Sequence, residues 1–306
     1  MRTLVTGVSG FAGAELARSL SALGHDVRTL ARDPSRVTLE LDVVPGDALT
    51  GEGLATAMRD VEVAYYLIHS MESTSPGALG FSQRERTAAE NFAAAARVAG
   101  VRRIVYLGGL LGRPDPHPLS RHLDSRAAVE AILREAVPDS VNLRASIVIG
   151  ARSRSFRLLV RLVERMPILT LPPWRSFRTQ PIDARDLIQM LLAAARAPVG
   201  GRSLDIAGPD VLTYGEIVGR IAELMLVRRP SLGLAVSASP LTARVVAAVA
   251  GEDPELVVPL MESLNRDLLP AFDGAAELLN VRLHSFDAAV EHALGEWERS
   301  EPLAAR

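Results

Sequence analysis

The N-terminal half of the chain alternates short apolar runs with amphipathic stretches. Residues 2–6, 61–68 and 103–107 are nearly continuous apolar runs, which is typical of parallel strands covered on both faces. Leucines recur at helical spacing over 14–23, and an alanine-rich helix is predicted over 83–99. The remaining predicted elements of this half are strands at 26–30 and 43–47 and a helix at 53–59. Strands separated by helices in this way predict right-handed βαβ units and a Rossmann-type, doubly wound parallel α/β sheet.

The second half of the chain is less regular. Helical periodicity covers 125–135, 155–165, 184–195 and 214–225, and strand patterns lie near 142–148 and 203–206. Prolines recur between these segments, which predicts loops and short helices. We therefore expect a nucleotide-binding Rossmann domain over 1–150. A smaller, mostly helical substrate-binding region over 151–306 would be interleaved with the end of the sheet, with a soft boundary between the two.

Composition narrows the classes of function. The chain has 34 basic and 36 acidic residues and a formal charge of −2, so it lacks the broad positive field that attracts nucleic acid. Cysteine is absent and the six histidines have no ligand spacing, so no metal site is expected. The most apolar window, 232–250, is interrupted by polar residues and proline, which favours a buried or groove-lining helix over a membrane span. No signal peptide is recognised, and we expect a cytoplasmic protein with a small-molecule substrate; a homo-oligomer stays open.

A glycine-rich loop follows the first predicted strand and opens the first predicted helix. It reads Thr6-Gly7-Val8-Ser9-Gly10-Phe11-Ala12-Gly13. Glycines at a helix N-terminus let backbone N–H groups approach a diphosphate closely, so this context predicts dinucleotide binding. The alternative is that the glycines only make a tight turn. The T-G-x-x-G-x-x-G spacing resembles the motif of extended and atypical short-chain dehydrogenase/reductases.

The end of the second strand predicts which dinucleotide is bound. The resemblance places Ala31 where NAD-dependent extended members carry an acidic residue for the ribose 2′-hydroxyl. Arg32 follows, and Arg36 could add a second contact to a 2′-phosphate. These residues predict NADP(H), with NAD(H) as the alternative because Asp33 could serve a ribose. Arg32 and Asp33 could also be solvated turn charges.

Other predicted cofactor contacts lie at strand ends. Asp47, with Ala48, resembles the family's aspartate that receives the adenine amino group, although Asp47 could instead cap the helix before Gly53. The carboxyl ends of parallel strands border the ligand crevice of a doubly wound fold. The predicted contacts at the ends of the fourth and fifth strands are Leu67, Ile68, His69, Leu107 and Gly108.

The resemblance extends over most of residues 1 to 225. It is strongest for the NmrA-like and NAD(P)H-binding group of the atypical short-chain dehydrogenase/reductases, on the stretch 81–109 and on Thr179-Gln180-Pro181-Ile182, Asp183, Asp186 and Asp205-Ile206-Ala207-Gly208-Pro209. Active classical members carry a serine after the fifth strand and a Tyr-x-x-x-Lys pair, in which tyrosine protonates the substrate oxygen. Here Gly108 or Gly109 stands at the serine position, and the spacing then reaches His122-Leu123-Asp124-Ser125-Arg126. The usual catalytic triad is absent.

Two explanations of this departure stay open. In the first, His122 has a nearly unperturbed pKa and donates the proton, while Arg126, one helical turn later, orients ribose or substrate. In the second, both side chains contact only cofactor or water. The resemblance thus implies an NADP(H)-dependent oxidoreductase that transfers hydride to a small or medium apolar carbonyl, enone or quinone-like substrate. The alternatives are a non-catalytic NADP(H)-binding sensor or regulator and, last, a nucleotide-sugar epimerase or dehydratase.

Overall fold

The structure is a computed structural model that describes residues 1–68, 80–113, 119–233, 264, 266–301 and 303. The predicted cofactor residue His69 lies outside the described residues, as does nearly all of the apolar window 232–250. The strands in chain order are β1 (Arg2–Thr6), β2 (Asp26–Ala31), β3 (Asp42–Pro45), β4 (Val63–Tyr66), β5 (Arg103–Gly109), β6 (Val141–Ala145), β7 (Val148–Ile149), β8 (Leu169–Leu171), β9 (Arg178–Thr179), β10 (Ile182–Asp183), β11 (Ser203–Ile206), β12 (Leu212–Thr213) and β13 (Ser231–Gly233).

Seven of these strands form a parallel central sheet in the order β11-β6-β5-β4-β1-β2-β3. The chain runs outward from β1 to β3 and then returns to the other side of β1 as β4. This reversal creates a topological switch point between β1 and β4, where ligands bind in open α/β sheets. The predicted doubly wound parallel α/β fold is confirmed. The strand at 203–206 completes the sheet, so residues after 150 contribute to it.

The helices cover both faces of the sheet and build the C-terminal region. They are α1 (Phe11–Ala22), α2 (Leu54–Ala57), α3 (Phe81–Val98), α4 (Arg121–Ala136), α5 (Arg154–Arg165), α6 (Ala184–Ala194), α7 (Tyr214–Leu224), α8 (Ala275–Leu278) and α9 (Phe286–Glu298). Helix α4 begins four residues before the predicted start because the Ser120 hydroxyl accepts a hydrogen bond from Leu123 N–H. Helix α9 was not predicted, and it begins after a serine cap at Ser285.

Three large apolar clusters hold these layers together. One joins α1 and α6 to one face of the sheet, and a second joins α2, α3 and α4 to the other face. The third lies among α5, α7 and α9, outside the sheet, and includes Trp174, whose ring meets Tyr214 edge-on. The C-terminal region therefore has its own apolar core, packed beside the carboxyl end of the sheet by the β7–β10 pairing.

Candidate functional site

The site is built around the switch point, where Thr6 ends β1. The Thr6 hydroxyl donates to the carbonyl oxygen of Tyr65 at 3.0 Å and accepts from the amide of Leu67 at 3.0 Å. Thr6 is fully buried, so its side chain ties β1 to the end of β4. The hydroxyl of Thr6 is therefore hydrogen-bonded within the protein, and a contact of this residue with the cofactor stays a prediction.

Gly7, Gly10 and Gly13 form a close-packed turn between β1 and α1. Gly7 has a left-handed φ of 71°, and a Cβ atom there would lie 2.5 Å from the carbonyl oxygen of Leu67. A Cβ atom on Gly13 would lie 2.3 Å from the carbonyl oxygen of Gly7. The Gly10 amide donates to that same carbonyl at 2.9 Å. Both outer glycines are thus required by the backbone contacts themselves.

The N-terminus of α1 fits a bound diphosphate. The residue before the helix is the exposed Gly10, which has no side chain to cap the first-turn amides, and Ser9 beside it is also exposed. The first turn contains no acidic residue that would repel an anion. The ring of Phe11 packs away from the turn, since a Cβ on Gly150 would lie 2.8 Å from it. Phe11 and Ala12 can therefore offer their backbone amides to the ligand.

Two arginines lie beyond the end of β2. Arg32 and Arg36 are exposed; Arg32 lies two residues before a short 3₁₀ turn at Pro34–Arg36, and Arg36 ends that turn. Asp33 caps this turn, because its carboxylate accepts from the amide of Ser35 at 3.0 Å and from its hydroxyl at 2.6 Å. The Ser35 hydrogen bonds lower the pKa of Asp33. Asp33 is the acidic residue that could bind a free ribose hydroxyl. One of its two carboxylate oxygens is thus hydrogen-bonded within the turn.

Asp47 and Ala48 lie in the loop after β3. The Asp47 carboxylate accepts from the amide of Leu49 at 2.8 Å, and the helix cap that follows is Gly53, so Asp47 does not cap α2. The side-chain amide of Asn91 on α3 donates to the carbonyl oxygens of Ala48 and Leu49 at 3.0 and 2.9 Å. Sequence reasoning missed Asn91; an asparagine among the alanines of α3 was the available signal.

The position that carries serine in classical members is occupied by glycines at the end of β5. A Cβ atom on Gly108 would lie 2.8 Å from the ring of Tyr106, and one on Gly109 would lie 2.9 Å from a methyl group of Leu123. A serine at Gly108 would therefore displace a buried tyrosine ring. Leu107, next to them, is half-buried and packs against the apolar cluster of α1 and α6.

The environment of His122 differs from the expected one. The residue is 8% exposed at the start of α4, and its ring stacks with Phe81 at a centroid distance of 6.1 Å. Burial, followed by the nearby Arg126 charge, lowers the pKa of His122 from 6.5 to about 4. The expectation of a nearly unperturbed pKa is therefore wrong. At neutral pH the imidazole is uncharged, so His122 is not present as an imidazolium that could act as a general acid.

The environment of Arg126 also differs from the expected one. Its guanidinium group is 1% exposed and pairs with Glu85 on α3 at 2.8 Å. It also donates to the Tyr106 hydroxyl at 3.3 Å and to the Ile68 carbonyl at 3.5 Å. The predicted contact of Arg126 with ribose or substrate is corrected: the described contacts of this group are within the protein. Sequence reasoning missed Glu85, because no local pattern marks this carboxylate as buried.

The pKa of His122 predicts a stability change with pH. The folded pKa lies below the unfolded value of 6.5, so the unfolded chain binds more protons between pH 6.5 and 4. Stability from this group is complete above pH 6.5 and is lost as the pH falls toward 4, by about 2 kcal/mol between pH 7 and 5. Urea unfolding at both pH values should show a smaller loss for His122→Gln. The control His292→Gln, on an exposed position of α9, should match the wild type; an equal pH response in both variants would contradict this account.

Two other arginines near the carboxyl end of the sheet are engaged in ion pairs. Arg144 on β6 contacts Glu130 at 2.6 Å and Asp205 at 3.6 Å. Arg178 binds Asp267 at 2.7 Å and packs the segment after 265 against β9. The Arg144 pairs connect α4, β6 and β11, and the Arg178 pair connects β9 to the C-terminal segment. Both arginines therefore have a structural role.

The described residues away from the switch point were compared with it as candidate sites for a ligand, a metal ion or a membrane. A pocket of about 260 Å³ lies at the amino ends of the strands, beside Met1, His25 and Arg196, on the opposite edge of the sheet from the glycine loop. Within the described ranges, no group of three or more His, Asp or Glu side chains could hold a metal ion. None of the helices described is both long enough and apolar enough to cross a bilayer.

Known proteins share both the sequence pattern and the fold. Residues 7–146 match a family described as NAD(P)H-binding. The ceramide reductase of Caulobacter vibrioides is 30% identical over 240 residues, which are 75% of this chain and 74% of that protein. The chain is a member of the extended and atypical short-chain dehydrogenase/reductase superfamily. Together with the named reductase among its relatives, this assignment supports an NAD(P)-dependent oxidoreductase.

Two further similarities extend the comparison. The 3-diazoavenalumate denitrifying reductase of a Streptomyces species is 37% identical over 111 residues, which are 34% of this chain and 36% of that protein. The solved structure of MoeE5 in complex with UDP-glucose and NAD has a TM-score of 0.72 and 20% identity, and covers 98% of this chain and 99% of that one. At that identity the likeness shows the fold, which agrees with the strand order and switch point of this short-chain dehydrogenase/reductase.

Proposed function

We propose that this protein is an NADPH-dependent reductase of a small or medium apolar carbonyl, enone or quinone-like compound. The observation that carries the proposal is the glycine cradle at the switch point, in which Gly7 and Gly13 leave no room for a Cβ atom and α1 opens toward the crevice without a side-chain cap. When bound, the nicotinamide would supply a hydride. The backbone amides at the start of α1, those of Phe11 and Ala12, would hold the diphosphate.

Arg32 and Arg36 support the choice of NADPH. Both are exposed at the end of β2, where a planar guanidinium suits a 2′-phosphate. Asp33, which would favour a free ribose hydroxyl, is engaged with Ser35. Asp47 and Ala48 would border the adenine, held in place by Asn91. At the other end of the crevice, the residues that would border the nicotinamide half are Leu67, Ile68, Leu107 and Gly108.

Two observations support the proposed class of substrate. The relative that aligns with this chain over 74% of its own length is named as a reductase of ceramide, an apolar lipid. His122 is neutral and buried, so it does not serve as an imidazolium acid for an alkoxide product. An acceptor whose hydride adduct is a stabilised anion, such as an enone or a quinone, can take its final proton from water. We therefore place the substrate in the cleft between the carboxyl ends of β4 to β6 and the region after residue 150.

One observation favours a second candidate, a non-catalytic NADP(H)-binding sensor. The positions of the family's tyrosine and lysine carry His122 and Arg126, and both side chains are buried within the protein. A protein with this cradle would bind the dinucleotide even if it reduced nothing. The same substitutions disfavour a nucleotide-sugar epimerase or dehydratase, because those enzymes use the tyrosine and lysine.

A titration followed by a turnover assay separates the candidates. The reductase should enhance NADPH fluorescence on binding and then oxidise NADPH with at least one member of a panel of ketones, enones and quinones. Tight binding with no oxidation across the panel would favour the sensor. In an active preparation, His122→Gln should keep its kcat at neutral pH; a loss of about 100-fold, as expected for a general acid, would restore His122 as the proton donor.

A further inference from the structure

A buried ion pair lies directly beneath the predicted nicotinamide end of the crevice. Glu85 and Arg126 are 2% and 1% exposed, and their side chains meet at 2.8 Å. The second oxygen of Glu85 accepts from the Ser125 hydroxyl at 2.8 Å. The pair thus joins α3 to α4 on the face of the sheet that these helices cover.

The same guanidinium group reaches a side chain in the middle of β5 and the segment just beyond its neighbour β4. It donates to the Tyr106 hydroxyl on β5 at 3.3 Å and to the carbonyl oxygen of Ile68, two residues beyond β4, at 3.5 Å. The Tyr106 hydroxyl in turn donates to the Arg126 carbonyl at 3.4 Å. The stem of Arg126 also passes under Gly109, since a Cβ atom there would lie 3.8 Å from its Cγ. The guanidinium therefore links the segment after β4 to Tyr106, whose ring packs under Gly108, while the Arg126 stem packs under Gly109 at the end of β5.

Stability alone is a weak reason to bury such a pair. Removing two charges from water costs about as much as their attraction returns, and well-packed apolar residues of similar volume often stabilise a fold equally well. Apolar side chains at these positions could not hydrogen-bond to the Ile68 carbonyl and the Tyr106 hydroxyl together. What the charged pair adds is a defined position for the two strand ends.

We propose that Glu85 and Arg126 are positioning residues that set the carboxyl ends of β4 and β5 for the nicotinamide half of the cofactor. This inference rests on the proposed dinucleotide binding. The arginine stands where the resemblance places the family's lysine, but it acts through Ile68 and Tyr106 instead of touching the ribose. The adenylate half, bound by the glycine loop and the end of β2, does not depend on the pair.

The test compares a whole dinucleotide with its adenylate half. We expect Glu85→Gln to raise the Kd for NADPH about 10-fold while the Kd for 2′,5′-ADP stays within about 2-fold of the wild type. Tyr106→Phe, which keeps the ring and removes one contact of the guanidinium, should raise the Kd for NADPH about 3-fold and leave 2′,5′-ADP unchanged. The emission of bound NADPH should shift in both variants, because it reports on the surroundings of the nicotinamide.

Asp139→Asn is the matched control. Asp139 pairs with Arg103 at 2.8 Å at the amino end of β5, the opposite edge of the sheet. Loss of this pair should lower the Tm, but it should not change the ratio of the Kd values for NADPH and 2′,5′-ADP. Equal weakening of NADPH and 2′,5′-ADP in Glu85→Gln, or no weakening of NADPH in either test variant, would overturn the positioning role. Wild-type protein that binds no dinucleotide would overturn the proposed function, and the positioning role with it.

Discussion

Gly13→Ala is expected to weaken NADPH binding by at least about 100-fold, which corresponds to roughly 2.7 kcal/mol. The added Cβ atom would lie 2.3 Å from the carbonyl oxygen of Gly7, 2.6 Å from its carbon and 2.9 Å from the amide nitrogen of Val8. All three are backbone atoms, so no side chain can move aside. The N-terminus of α1 would be pushed away from the loop, and its amides would no longer converge on one diphosphate. Calorimetric titration of NADPH measures the effect.

A glycine at the other end of α1 provides the control. Gly24 has a φ of 75°, and a Cβ atom there would meet nothing within 4 Å. Gly24→Ala should therefore cost about 1–2 kcal/mol of stability through its left-handed backbone and leave the affinity for NADPH unchanged. Gly13→Ala should lose about 1–3 kcal/mol through overpacking. If Gly13→Ala lowered stability but bound NADPH like the wild type, the glycines would only make a tight turn.

Arg32→Ala is expected to weaken NADPH about 10- to 100-fold, the loss of roughly 1.5–3 kcal/mol that a hydrogen bond to a charged group contributes. The affinity for NADH, which has no 2′-phosphate, should change by less than about 2-fold. The reason is geometric: Arg32 is exposed immediately after β2, beside the exposed Arg36. Parallel titrations of both dinucleotides at one ionic strength measure the difference.

The comparison needs an arginine that is exposed but remote from the crevice. Arg18 on α1 is 49% exposed and pairs with Glu15. Arg18→Ala removes the same charge from the molecule and should leave both affinities unchanged. Equal losses of NADPH and NADH in Arg32→Ala would contradict the assignment of NADPH, while the glycine cradle would still account for dinucleotide binding.

The elements of the N-terminal half could be predicted because each carries its own local signal. The apolar run of β1, the glycines and the leucine spacing of α1 occupy adjacent positions, and the structure places all three where they were expected. The strands β7, β9, β10 and β12 are two residues long and exist only through their partners, so no local pattern indicates them. Helix α9 owes its place to packing of Trp297 in the C-terminal cluster.

The candidate site divides in the same way. Gly13 could be identified from spacing because its close backbone contact is with Gly7, six residues away, whereas Gly7 itself packs against Leu67 after β4. The spacing of His122 and Arg126 also places them on one helix, but it carries no information about what that helix covers. Burial beside Phe81 lowers the pKa of His122, and Glu85, 41 residues away in the chain, turns Arg126 into a buried ion pair.

The sequence by itself determined the strands and helices of the N-terminal half, the dinucleotide cradle and the absence of the family's tyrosine and lysine, since these depend on residue type and short-range spacing. Only the tertiary structure decided what replaces that tyrosine and lysine. Whether a charged side chain faces solvent, a ligand or another charge depends on segments far apart in the chain. At Arg126 those segments are α3, β5 and the end of β4.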